Sequence, residues 1–175
     1  NDKETAILNY LQPSAGQLGF TSLGYDAKEA PEEVDVVFAL GVEGRDLRAF
    51  CNKTSAKTIA FIGDHGDEDT VMCDLVLPGA AYTEKDASFM NTEGRIQKTR
   101  RALSPPGEAR TDWTILSAIG EVCGTSMKPW ETVEELRDSM SSTLPSFGQL
   151  GKVPTTRDSS HQIMSTAAFS VNNRA

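Results

Sequence analysis

The chain has 175 residues, 38% hydrophobic and 24% charged, the mixture of an ordinary folded chain long enough to bury a sizeable core, so one main domain is expected. A formal charge of −8 opposes nucleic-acid binding, which needs Lys and Arg to displace counterions, and the one basic cluster, Lys98, Arg100 and Arg101, is short. The longest apolar run, residues 36–40, falls far below the roughly 20 residues that cross a bilayer, so no direct membrane insertion is expected.

The chain opens on Asn1 rather than Met, with no basic or signal-type leader, which suits a processed chain or one piece of something longer. Ile7, Tyr10 and Leu11 have helical spacing and predict a first amphipathic helix that ends before Pro13; a second short helix is predicted over residues 15–23. Residues 34–40, VDVVFAL, form a β-branched and apolar run expected of a strand buried on both faces. Gly41 and Gly44 bracket a tight turn, and Leu47, Phe50 and Cys51 give the following helix its apolar face. Further strands are predicted over residues 57–62, closed by Gly63, and residues 74–77, closed by Pro78 and Gly79. Strands separated by helix-length connections imply a parallel α/β sheet.

Residues 88–101 carry turn residues at 91–94 and predict a hairpin or extended arm, ended by Pro105, Pro106 and Gly107. Thr111 is placed to cap a helix with Asp112 in its first turn and Trp113, Leu116, Ile119 and Cys123 on one buried stripe. Thr132 and Glu135 have capping-box spacing before Val133, Leu136 and Met140. Beyond Pro145 the periodicity fades, so the predicted division is a domain over residues 1–144 and a polar tail over 145–175.

Candidate chemistry is sparse. Cys51, Cys73 and Cys123 lack CxxC spacing and are odd in number; they read as buried thiols in a reducing compartment, not as cluster ligands. Asp64, His65, Gly66, Asp67, Glu68 and Asp69 gather four carboxylates and an imidazole after a strand, the best candidate for a metal; with no second His and no EF-hand spacing, a solvated turn is the expected role. The turn at residues 41–44 sits where phosphate could meet a helix N-terminus. It lacks the full GxGxxG pattern, and Glu43 opposes an anion. Glu84, Asp86, Glu93 and Arg95 could supply paired carboxylates but are expected to form a salt-bridged loop rim. No GxSxG elbow or Walker loop is present, and His65 and His161 leave few bases for a triad.

Residues 74–97, DLVLPGAAYTEKDASFMNTEGRIQ, resemble the signature of the molybdopterin oxidoreductase superfamily: a strand ending in Pro, a Glu, then Asn-x-Glu-Gly-Arg-x-Gln. Within it, that wording and PPGEARTDW at residues 105–113 resemble the large iron-sulfur subunits of NADH:ubiquinone oxidoreductase, complex I. NYLQPSAGQLGFTSLGY at residues 9–25, the Gly-acidic-Gly turn at 41–44 and DHGD at 64–67 agree.

The resemblance implies a partial molybdopterin-oxidoreductase-like α/β domain that has lost its cofactor, with a short parallel sheet, flanking helices and an irregular tail. It implies a structural C-terminal portion of a split or fragment subunit, with no catalytic, cofactor-binding or metal residue of its own. The iron-sulfur clusters would lie in the missing N-terminal region or a partner chain. The implied partners are other complex I subunits, above all the one carrying that region. The implied location is the matrix side of the mitochondrial inner membrane. The alternative is a molybdopterin-binding fragment of an active oxidoreductase, with residues 41–44 and 91–97 touching the cofactor; a small autonomous nucleotide-binding module is a third reading.

Overall fold

The computed structural model describes residues 16–25, 31–125 and 130–152. The expected helix around Ile7, Tyr10 and Leu11, and His161 with the end of the expected tail, lie outside the described residues. The chain divides into two compact units, one of Ala27–Ala87 and Thr99–Leu136, the other of Asn1–Asp26, Ser88–Lys98 and Arg137–Ala175.

After a short helix, α1 (Gln17–Ser22), the chain enters a three-stranded parallel sheet of β1 (Glu33–Leu40), β2 (Ser55–Gly63) and β3 (Leu75–Pro78), with β2 in the centre. Helix α2 (Gly44–Cys51) connects β1 to β2, and a 3-10 helix (Glu68–Met72) connects β2 to β3. This is the expected α/β architecture, with strand limits within two residues of those predicted.

In a parallel ladder, paired residues share a face. On one face Ala39 and Phe61 pair and pack with Leu47 of α2, and Ile59, Val42, Cys51 and Cys73 surround this cluster. On the other, Ala60 and Ile62 are fully buried at the centre. Their neighbours Val36, Phe38 and Leu40 of β1 are 50%, 47% and 39% exposed, and Leu75 of β3 is 47% exposed. The expectation of a β1 buried on both faces is therefore corrected: β1 is an edge strand, and α2 packs on the opposite face, so only the middle of this apolar face is buried.

Ser88 and Met90 pair with Lys98 and Ile96 as an antiparallel hairpin, β4 (Ser88–Met90) and β5 (Ile96–Lys98), as the turn residues predicted. The Asn91 side chain accepts the N–H groups of Glu93 (3.0 Å) and Arg95 (2.9 Å), and Gly94 supplies the left-handed φ of 78°. Met90, Ile96 and Phe147 form the core of this unit with Leu18, Leu23, Met140 and Leu144 against it.

Helix α3 (Asp112–Val122) begins where expected, but its buried residue is Ile115; Leu116 is 40% exposed, and Cys123 beyond the helix is exposed too. Nor does Thr111 cap with its side chain: its hydroxyl lies 3.1 Å from that of Thr114, which donates to the Thr111 carbonyl. Asp112 instead pairs with Lys85 at 2.5 Å, anchoring the first turn. Before α4 (Val133–Thr143) Thr132 accepts from Glu135 N–H as the capping-box spacing predicts, while the Glu135 carboxylate accepts from Glu131 N–H, one residue before the cap. Cys51 and Cys73 are half-buried rather than buried, because they flank the Ala39 cluster at the rim of α2.

Truncating Ile62, buried on the central strand, to Ala will cost about 2–5 kcal/mol in urea unfolding, whereas Val71→Ser on the exposed 3-10 helix will stay within about 0.5 kcal/mol. Burial, then Cys51 and Asp74, push the Cys73 thiol up. A folded value raised above the unfolded one stabilises at pH below the unfolded value, and that contribution is lost as pH rises through the folded one. Alkylation of Cys73 will accordingly set in at higher pH in the folded chain than in urea; superimposable profiles would contradict its placement.

Candidate functional site

Because β1 and β2 run parallel, their carboxyl ends reach the same side of the sheet, and the loops that follow them meet there. The turn after β1 is tight: Gly41 takes φ 60° and its N–H donates to the Ile62 carbonyl at 2.9 Å. Helix α2 starts three residues later. Between this turn and the loop after β2 lies a cleft of about 390 Å³, lined by Gly41 to Arg45, Phe61 and Gly63 to Asp67. Carboxyl ends of parallel strands are where α/β folds place ligands. The structure therefore brings the two loops singled out in the sequence, residues 41–44 and the DHGD turn, to one place.

The charges in this cleft are mostly committed. Asp67 accepts the N–H groups of Asp69 (3.0 Å) and Thr70 (3.1 Å), capping the 3-10 helix, while the Thr70 hydroxyl donates to the Asp67 carbonyl. The Asp67 carboxylate also lies against Gly44 so closely that a Cβ there would push it aside. Asp69 pairs with Arg48, and Glu43 pairs with Arg45 at 3.1 Å. Asp64 lies 3.4 Å from His65, whose side chain is 89% exposed. Among the described residues no three His, Cys, Asp or Glu converge as a metal ion would require.

Glu43, Asp64 and Asp67 line the cleft together with Arg45, three carboxylates against one guanidinium. A bound phosphate or dinucleotide would meet net negative charge at the α2 N-terminus, where the helix field would otherwise favour it. The residues present do not fit an anionic ligand. The remaining sequence candidates are held locally: Glu84 accepts Ala81 N–H (3.0 Å), Asp86 accepts Arg101 N–H (2.9 Å), and Arg95 meets Glu93 and the Gly151 carbonyl. In the 91–97 loop, Asn91 is used by its own turn.

Sequence reasoning missed Arg48 and Lys85. Each partners an acidic residue more than twenty positions away, and the available signal was an acidic cluster in need of a cation.

Comparison with known proteins places this geometry in a lineage. The molybdopterin oxidoreductase family profile matches residues 1–122. The mitochondrial NADH-ubiquinone oxidoreductase 78 kDa subunit of Neurospora crassa is 40% identical over 145 residues, covering 79% of this chain and 18% of the fungal protein. The 75 kDa subunit of Reclinomonas americana is 33% identical, covering 78% and 20%, and the 78 kDa subunit of Candida albicans is 34% identical, covering 78% and 19%. The chain thus spans about a fifth of the length of these relatives. Molybdopterin carries a phosphate, which three carboxylates against one guanidinium would oppose in this cleft.

Asp67→Ala will remove two capping hydrogen bonds and cost about 0.5–2 kcal/mol of stability in thermal or urea unfolding, with Asp67→Asn retaining most of it.

Proposed function

Since the chain belongs to the molybdopterin oxidoreductase family, we propose that it acts as a structural, cofactor-free portion of the large iron-sulfur subunit of NADH:ubiquinone oxidoreductase, within the matrix-side peripheral arm. The assembled complex would pass electrons from NADH to ubiquinone. This portion would contribute shape and contacts, not an electron carrier.

The observation that carries the reading is the uncovered sheet face. Parallel sheets occur almost only with both faces covered, yet Val36, Phe38, Leu40 and Leu75 stand exposed together on one face of this one. Leaving them in water forgoes burial worth roughly 25 cal/mol per Å² of apolar area, which a packed neighbour would recover. The proposed neighbour is the polypeptide corresponding to the remaining four-fifths of the relatives, including the region expected to hold the iron-sulfur clusters. The acidic cleft supports the cofactor-free part of the reading. Among the described residues no helix is long and apolar enough to cross a membrane, in keeping with attachment through protein partners.

The test is native electrophoresis of detergent-solubilised mitochondrial membranes, probing for this chain and staining the same lanes for NADH oxidation. Wild type is expected to migrate with the large NADH-oxidising species, and Phe38→Asp to appear mainly as a small one. Migration of wild type as a small species would reject the reading, and molybdenum bound to that species would favour the pterin-binding alternative.

A further inference from the structure

Helix α2 and the 3-10 helix lie against each other along a seam marked by two pairs. At their amino ends Gly44 meets the Asp67 carboxylate. One turn further along α2, Arg48 pairs with Asp69. At the carboxyl ends stand two thiols: Cys51 is the last residue of α2, and Cys73 is the first residue after the 3-10 helix. In both pairs the later residue of α2 meets the later residue of the other segment, so the two run in the same direction, and Cys51 acts electrostatically on Cys73 at the far end. Both pack against the one buried cluster of Ala39, Leu47 and Phe61, and both are free and half-buried.

We propose that Cys51 and Cys73 form a dithiol modification site that closes to a disulfide by exchange with a low-molecular-weight disulfide such as oxidised glutathione. The Cys51 thiolate attacks one glutathione sulfur, forming a mixed disulfide and releasing one glutathione thiolate, which takes up a proton. Cys73 then gives its proton to solvent and attacks the Cys51 sulfur, forming the Cys51–Cys73 bond and releasing the second glutathione. One small disulfide is reduced to two thiols while two protein thiols are oxidised. Cys51 attacks first because burial and the adjoining Cys51 and Asp74 hold Cys73 in its thiol form. The bond would staple the carboxyl ends of the seam whose amino ends form one wall of the cleft, fixing Asp67 against Gly44. A disulfide joins Cα atoms roughly 4.4–6.8 Å apart, so the reaction reports directly whether the seam is that narrow at its far end.

The experiment exposes the full chain to oxidised glutathione, quenches with acid and maps peptides without reduction. Wild type is expected to yield the linked Cys51 and Cys73 peptides with no retained glutathione, and a melting temperature that rises on oxidation and falls again with dithiothreitol. Cys73→Ser is expected to retain glutathione on Cys51, and Cys123→Ser to behave as wild type. Cys73→Ala replaces the Ser variant if circular dichroism shows that the latter is unfolded. Stable glutathione on Cys51 in the folded wild type, bridges that involve Cys123, or linkage no faster in the folded chain than in urea would each overturn the proposal.

Discussion

Strand β2 is paired in parallel along both edges, and most of the sheet-containing unit follows from that pairing. Consecutive residues Ala60, Phe61 and Ile62 are all buried, so both faces of this one strand must be shielded even though the strands beside it are not. Parallel pairing also forbids a tight hairpin between neighbours, so each connection crosses back over the sheet, as α2 and the 3-10 helix do. The same geometry brings the carboxyl ends of β1 and β2 together, and the cleft is what lies between the loops that leave them.

The parts of this architecture that are legible in the sequence are those governed by local chemistry. Val34 to Leu40 reads as a strand because β-branched and aromatic residues crowd it, and Asn91 and Gly94 announce the hairpin because the turn needs a side-chain acceptor and a left-handed backbone. Thr132 and Glu135 announce the start of α4 for a similar reason. What misleads is the step from apolar to buried. Val36, Phe38 and Leu40 are as apolar as core residues, but burial depends on what lies opposite, and composition does not encode that. The α3 stripe fails likewise: helical spacing identifies a face, but Ile115 rather than Leu116 finds the packing.

The candidate site shows the same division. Its acidic character can be read residue by residue, whereas the partner of Asp69 beside it cannot, because Arg48 reaches Asp69 across a strand and two turns. The cleft therefore looks more reactive in the sequence than in three dimensions, where caps and ion pairs occupy several of its carboxylates. Family resemblance supplies what local chemistry lacks, the larger frame in which an incompletely covered sheet has a use.

The contrast between the two pairing types also sets an order of events. Ser88 and Lys98 are ten residues apart and meet through a turn that Asn91 prearranges, so β4 and β5 can close within about 1–10 μs, the scale of an isolated hairpin. Glu33 and Ser55 are 22 residues apart, and α2 lies between them. Non-local parallel pairing must meet its loop-closure entropy before the contacts that reward it, which makes it the slower step. During that interval the apolar strand residues face water on both sides, so the unpaired strands are open to aggregation until the sheet closes.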